Sequence, residues 1–133
     1  MTKMITTYLG DGKTEILHTP TGAVINTDLP PDNGGKGRAF SATDLFAASL
    51  SACILTIMSQ MAEKRGDKLD GIKLEIEKIM AQNPRRVGKL VLKITFPPNV
   101  EKAKRDLYLT AVKACPVHNS ISKEIEVDVS VAN

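Results

Sequence analysis

Hydrophobic positions change their period several times along this chain, and each change marks an element. In the first forty residues the apolar side chains fall in short runs, Lys3 to Leu9, Thr14 to His18 and Ala23 to Thr27, with the length and residue types of β-strands. Gly10-Asp11-Gly12 and Pro20-Thr21-Gly22 separate them with residues that accept positive φ or preset a turn, so the pattern predicts a three-stranded meander. Leu29 to Phe40 holds two prolines and three glycines, a composition that supports no regular element and reads as an exposed loop free to serve a site.

Between Leu45 and Ala62 none of 18 residues is charged. Just before them, Ser41 followed three residues later by Asp44 is a variant of the capping box and starts a helix. Phe46, Leu50, Cys53, Ile57 and Met61 recur every three or four positions as one stripe, while Ala48, Leu55, Met58 and Ala62 lie on the far side. A helix apolar nearly all round belongs in the middle of a structure. Its length suits a membrane span, but Ser49, Ser51, Thr56, Ser59 and Gln60 make it too polar for one, so a buried helix is expected and no membrane partner. Glu63-Lys64-Arg65-Gly66 closes it with cations and a glycine stop.

Period-two alternation follows. Ile72, Leu74 and Ile76 alternate with Lys73, Glu75 and Glu77, slipping near Ile79, and Leu90, Leu92 and Ile94 alternate with Lys89, Lys93 and Thr95. These predict neighbouring antiparallel strands, each with one wet and one dry face, joined by a mobile basic tip at Asn83-Pro84-Arg85-Arg86. After Pro97-Pro98-Asn99, Val100 to Ala114 reads as a second helix with Ala103, Leu107, Thr110 or Ala111, and Ala114 inward. Cys115-Pro116 interrupts it, which puts Cys115 at the N-cap of a short turn through Ile121. Ile125, Val127, Val129 and Val131 form a last strand. With no repeat and no linker, the order βββ-α-ββ-α-β describes one α+β domain over residues 1–133, with antiparallel sheets around a long buried helix.

Composition narrows the functional classes. Charged residues at 25% and apolar ones at 42% are globular averages. A net charge of +3, no Trp and no basic block longer than Arg85-Arg86 leave neither the dense basic face nor the stacking platform of a nucleic-acid binder. The N-terminal stretch lacks the features of a signal peptide, so the cytoplasm is the expected compartment. Two cysteines are too few for a secreted disulfide framework and stand as core residues or as redox-active thiols.

Cys53, alone on an apolar stripe, reads either as a small core hydrophobe or as a nucleophile, and burial without a cation would leave it inert. Cys115 reads either as a structural cap or as a thiol whose ionised form the free N–H groups of a helix start favour. His118, three residues on, could steady that thiolate or cap the turn. By count, two Cys with His18 and His118 would satisfy zinc, but only Cys115 and His118 have local spacing, and no metal is expected. No nucleophile elbow is present, and Gly34-Gly35-Lys36-Gly37 follows no convincing strand, which removes the hydrolase and phosphate-loop classes.

Two segments together say more. Ser41-Ala-Thr-Asp-Leu-Phe-Ala-Ala-Ser-Leu-Ser-Ala-Cys53 at the head of the long helix resembles the first cysteine motif of the OsmC/Ohr family, the osmotically inducible and organic hydroperoxide resistance proteins. Ala114-Cys-Pro-Val-His-Asn-Ser-Ile121 resembles the second, and the Gly-rich loop and element order fit over essentially the whole chain.

The resemblance implies an OsmC-like fold in an intertwined homodimer, with the long helices packed centrally. It also implies a thiol peroxidase: Cys53 attacks an organic hydroperoxide, Cys115 condenses with the resulting sulfenic acid to a disulfide, and an external dithiol reduces the pair, with no bound cofactor. Family members carry an activating Arg on the N-terminal hairpin and a Glu ten residues before the first cysteine. This chain has no Arg before Arg38 and has Thr43 at the Glu position. Asp44 cannot replace that Glu, because nine residues at about 100° each put it on the opposite helix face from Cys53. Arg38 is therefore the expected cation, with Arg85 or Arg86 of the partner subunit next. Two other readings are a catalytically quiet relative that binds an apolar small molecule and a stress-related structural dimer.

Overall fold

Gly10, Asp11 and Gly12 take φ values of 89°, 55° and 79°, and this left-handed run folds β1 (Met4–Gly10) back onto β2 (Lys13–His18). β3 (Val24–Asp28) pairs along the other side of β2, giving an antiparallel sheet of order β1-β2-β3 in which Ile16 faces Ile25. The computed structural model describes residues 1–133, and its contacts gather into two compact units, Met1–Phe46 and Ala47–Asn133. The meander belongs to the first. It is an open layer: Met4, Ile5, Tyr8, Val24 and Ile25 are exposed, and of its strand residues only Thr27 and Asp28 are buried.

The Gly-rich segment after β3 is tied down where a free loop was expected. Pro31–Asn33 forms a 3-10 turn, the N–H groups of Gly35 and Gly37 donate to the carbonyls of Pro30 (2.9 Å) and Leu29 (3.0 Å), and Asp28 donates to Phe40 (2.9 Å). A Cβ on Gly35 would stand 2.0 Å from the Leu29 carbonyl oxygen, a separation no side chain can occupy.

α1 (Ala42–Glu63) starts where the capping pattern placed it. The Ser41 hydroxyl accepts the Asp44 N–H at 3.0 Å, and the Asp44 carboxylate accepts the Ser41 N–H at 2.9 Å, so two otherwise orphaned donors satisfy each other's caps. α1 runs unbroken from the first unit into the second. Its buried stripe is Ala47, Leu50, Ile54, Met58 and Ala62, not the expected Phe46, Leu50, Cys53, Ile57 and Met61. Both stripes obey the same spacing, and on a helix apolar nearly all round, hydrophobicity cannot set the phase. Cys53, Ile57 and Met61 therefore lie half-exposed on the flank.

In the second unit β4 (Lys73–Ala81) and β5 (Arg86–Thr95) pair antiparallel, with Leu74 opposite Ile94 and Ile76 opposite Leu92. Alternation holds to the end of β4, so Ile79 is exposed, with a bulge after it. The basic tip between these strands is ordered by Arg86, which donates to the carbonyls of Gln82 (2.8 Å) and Pro84 (2.9 Å). β6 (Glu126–Val131) joins the other edge of β5 in parallel, so this sheet is mixed rather than antiparallel. Parallel neighbours require a long crossover, here the helical segment between β5 and β6. Leu90, Leu92 and Ile94 of β5 are fully buried, each contributing on the order of 1.5–3 kcal/mol by leaving water.

The crossover helix is shorter than its pattern predicts. α2 (Lys102–Leu109) and α3 (Ala111–Ala114) are separated at Thr110, whose hydroxyl donates back to the Leu107 carbonyl at 2.6 Å. The inward residues are Arg105, Tyr108, Ala111 and Val112, while Ala103, Leu107 and Ala114 are exposed. Long side chains with polar tips win those places because the tips find partners: the Arg105 guanidinium donates to the carbonyls of Asn133 (2.6 Å) and Val100 (3.1 Å) and lies over the Phe96 ring.

Gly35→Ala and Gly34→Ala separate steric exclusion from conformational preference. Gly34 has positive φ and open space around its Cβ position, so its replacement should cost about 1 kcal/mol, and Gly35→Ala should cost at least about 2 kcal/mol in denaturant unfolding. Equal losses would refute the close approach.

Candidate functional site

The residue before a proline avoids helical geometry, and Cys115 obeys: φ −71° and ψ 122° end α3 in extended backbone. The chain then turns through a 3-10 segment at His118–Ser120. Across that turn the Cys115 carbonyl accepts the Asn119 N–H at 3.0 Å, and its Sγ accepts the His118 N–H at 3.4 Å. The thiol thus caps the turn through its sulfur, and His118 meets it through the main chain.

Cys115 is fully buried, whereas Cys53, on the flank of α1, is half-exposed. The two thiols are neighbours, near enough for Cys53 to act on Cys115, although 62 positions separate them in the chain, and both are free. Burial pushes the Cys115 thiol above its ordinary range and the contact with Cys53 pushes it further, against a smaller downward pull from the N–H groups of His118 and Val117. Cys115 is accordingly a neutral thiol at neutral pH.

Arg38 has partners of its own in the first unit. Its Nε donates to Asp28 Oδ2 at 2.7 Å and Nη1 to Asp11 Oδ2 at 3.1 Å, while Nη2 reaches Asp28 Oδ1 (3.2 Å) and the Asp11 carbonyl (3.0 Å). Lys36 adds a bond to Asp11 at 3.0 Å. Arg38 holds the Asp28 carboxyl far below the usual range, and Lys36 with Arg38 lowers that of Asp11. Two cations face two carboxylates, so little net field remains. Asp11 and Asp28 were not singled out in the sequence because their distance from Arg38, 27 and 10 residues, has no local period.

Neither cysteine lines the apolar groove of the second unit. That groove, about 510 Å³, is walled by Leu109, Val112, Val127 and Val129 with Asp106, Thr110, Lys113 and His118 among them. No group of three or more His, Cys, Asp or Glu side chains converges as a metal site.

The family model for "OsmC-like protein" matches residues 34–130. No curated protein matches the chain. Among solved structures, a Psychrobacter arcticus protein provisionally described as an osmotic stress induced and detoxification response protein is 38% identical, with a TM-score of 0.93 over 98% of this chain and 96% of its own. An organic hydroperoxide resistance protein from Legionella pneumophila has a TM-score of 0.80 at 20% identity, covering 100% of this chain and 97% of its own. Another, from Elizabethkingia anophelis with thiocyanate bound, has a TM-score of 0.79 at 20% identity, over 100% and 96%. At those identities the last two show a shared fold.

Replacing Cys53 with Ala removes the second and third causes that push Cys115 up and leaves burial, the largest, in place. Thiolate absorbance against pH should therefore give a lower Cys115 midpoint than in the wild type. An unmoved midpoint would mean that the two sulfurs do not touch in solution.

Proposed function

The chain belongs to the OsmC-like protein family, and from that premise we propose that it reduces organic hydroperoxides with its own thiols. The observation that carries this reading is the nearness of two cysteines that are remote in sequence and unequal in exposure. Cys53, the accessible one, attacks as thiolate: an S–O bond forms, the O–O bond breaks, and the alkoxide leaves as alcohol after taking a proton. The peroxide is reduced by two electrons and Cys53 becomes a sulfenic acid. Cys115 then attacks that sulfur as thiolate and expels the hydroxyl as water, leaving a Cys53–Cys115 disulfide. Exchange with an external dithiol restores both thiols, which suits a reducing compartment such as the cytoplasm. No resident cofactor is needed. The organic hydroperoxide resistance proteins among the structural neighbours support this choice of substrate.

Arg38 enters the proposal in an altered role. Because Asp28 and Asp11 cancel its charge, it braces the glycine-rich loop, and the cation that activates Cys53 is assigned to Arg85 or Arg86 of the partner subunit. Uncovered apolar surface supports a homodimer. Only 28% of the most apolar window of α1 is buried within one chain, and the meander leaves Met4, Ile5, Tyr8 and Val24 exposed; a second copy covers both. A second reading, a quiet thiol pair in a carrier of apolar small molecules, is favoured by the groove that neither cysteine lines.

Cumene hydroperoxide with a dithiol should be turned over by the wild type. Cys53→Ser should abolish turnover, and Cys115→Ser should stop at a sulfenic acid that dimedone traps. No peroxide-dependent thiol loss in the wild type, with an apolar probe bound equally well by Cys53→Ser, would leave the carrier reading in its place. Arg38→Ala should lower the melting temperature while changing the Cys53 oxidation rate less than about tenfold; a loss on the 10²–10⁴-fold scale of a catalytic group would restore it to the site. Sedimentation equilibrium should give twice the 14.4 kDa chain mass, and a monomer at micromolar concentration would remove the dimer.

A further inference from the structure

Tyr108 is the largest fully buried side chain in the protein. A buried hydroxyl is costly unless bonded, and this one donates to Asp67 Oδ2. The bond lowers the Asp67 carboxyl and raises the Tyr108 phenol, and Lys104 Nζ, 3.2 Å from the same oxygen, lowers Asp67 further. Asp67 is fixed in turn. Its N–H donates to the Ala62 carbonyl at 3.0 Å, the Gly66 N–H donates to Glu63 at 3.1 Å, and Gly66 has φ 82°, the paired bonds and left-handed glycine that close a helix end rigidly. The carboxylate is thereby fastened to the C-terminus of α1.

Cys53 sits on that same helix, ten residues before its last, about 15 Å along the axis at 1.5 Å per residue. Tyr108 is in the last turn of α2, and after it come α3, with Ala111 and Val112 buried, and then Cys115. The hydroxyl–carboxylate bond therefore joins the end of the helix that carries Cys53 to the helical segment that leads into Cys115.

We propose that Tyr108 is a positioning residue for the Cys53–Cys115 couple: its bond to Asp67 holds the α2–α3 segment against the end of α1 and keeps Cys115 within bonding reach of Cys53. The proposal rests on the reading that these cysteines form a disulfide, and it deepens that reading by naming what aligns them away from the chemistry. Lys104 and the buried Tyr108 ring secure the same junction, and the hydroxyl supplies its direction.

The test uses the full chain in glutathione buffers, where two cysteine thiols and one oxidised glutathione give one protein disulfide and two reduced glutathiones. The equilibrium reports the effective concentration of Cys115 at Cys53. Tyr108→Phe deletes one oxygen and keeps the ring, and it should lower that concentration about tenfold, the scale of a lost hydrogen bond to a charged group. Asp67→Asn keeps an acceptor and should fall less than Asp67→Ala. Alkylation of Cys53 in a Cys115→Ser background should proceed at the same rate with or without the Tyr108 hydroxyl. A Tyr108→Phe protein with a lower melting temperature but an effective concentration within twofold of wild type would overturn the proposal. Should Tyr108→Phe not fold, Asp67→Asn and Asp67→Ala decide, and equality of both with wild type would overturn it. Wild-type protein that forms the disulfide with glutathione and ignores hydroperoxides would sink the peroxidase reading and leave this one standing; wild type that forms no internal disulfide would sink both.

Discussion

Holding two thiols side by side when they lie 62 positions apart in the chain demands that both backbones be fixed independently, because neither thiol can hold the other in place. On one side the constraint is met by the apolar stripe of α1, Leu50, Ile54 and Met58, which is fully buried and flanks Cys53. On the other it is met by Pro116, which denies Cys115 helical geometry and turns its Sγ toward the His118 N–H. The remaining features of the second unit serve these two anchors. Fully buried Leu90, Leu92 and Ile94 contribute to its core, and Ala111 and Val112 bury the segment just before Cys115.

Electrostatics divides the charged residues between structure and chemistry. Arg38 has the charge that a thiolate needs, but a guanidinium bonded to two carboxylates has spent its field locally, and bidentate geometry makes the Asp28 pair strong. The two sulfurs differ for an equally local reason. Water reaches Cys53 and not Cys115, and burial is the largest of the causes that make the Cys115 thiol reluctant to ionise. An asymmetric pair is suited to sequential roles, the open thiol meeting reagents and the closed one meeting its neighbour.

Legibility in the sequence followed the range of each interaction. The cap at Ser41 and Asp44, the hairpin at Gly10 to Gly12, the alternation of Leu90, Leu92 and Ile94, and the break at Cys115-Pro116 are all set within four residues or so and could be read directly. Longer-range facts were hidden. The phase of α1 was ambiguous because nearly every face is apolar, and the parallel placement of β6 depends on a crossover that hydropathy does not describe. Pairings of Arg38 with Asp11, and of Tyr108 with Asp67 across 41 residues, follow no period. One clue was available: Tyr108, Ala111 and Cys115 are spaced three and then four apart, a helical face whose polar tip called for a buried acceptor.

Parallel pairing of β6 with β5 also has a consequence for the order of biosynthesis. The segment bearing Cys115 is a crossover, pinned at one end by β5 and at the other by a strand that leaves the ribosome after both cysteines have emerged. Until β6 zips onto β5, the Ala132 N–H has no Ile94 carbonyl to bond and the Asn133 side chain does not brace Phe96. A nascent chain therefore carries both thiols before the sheet that closes the crossover is complete.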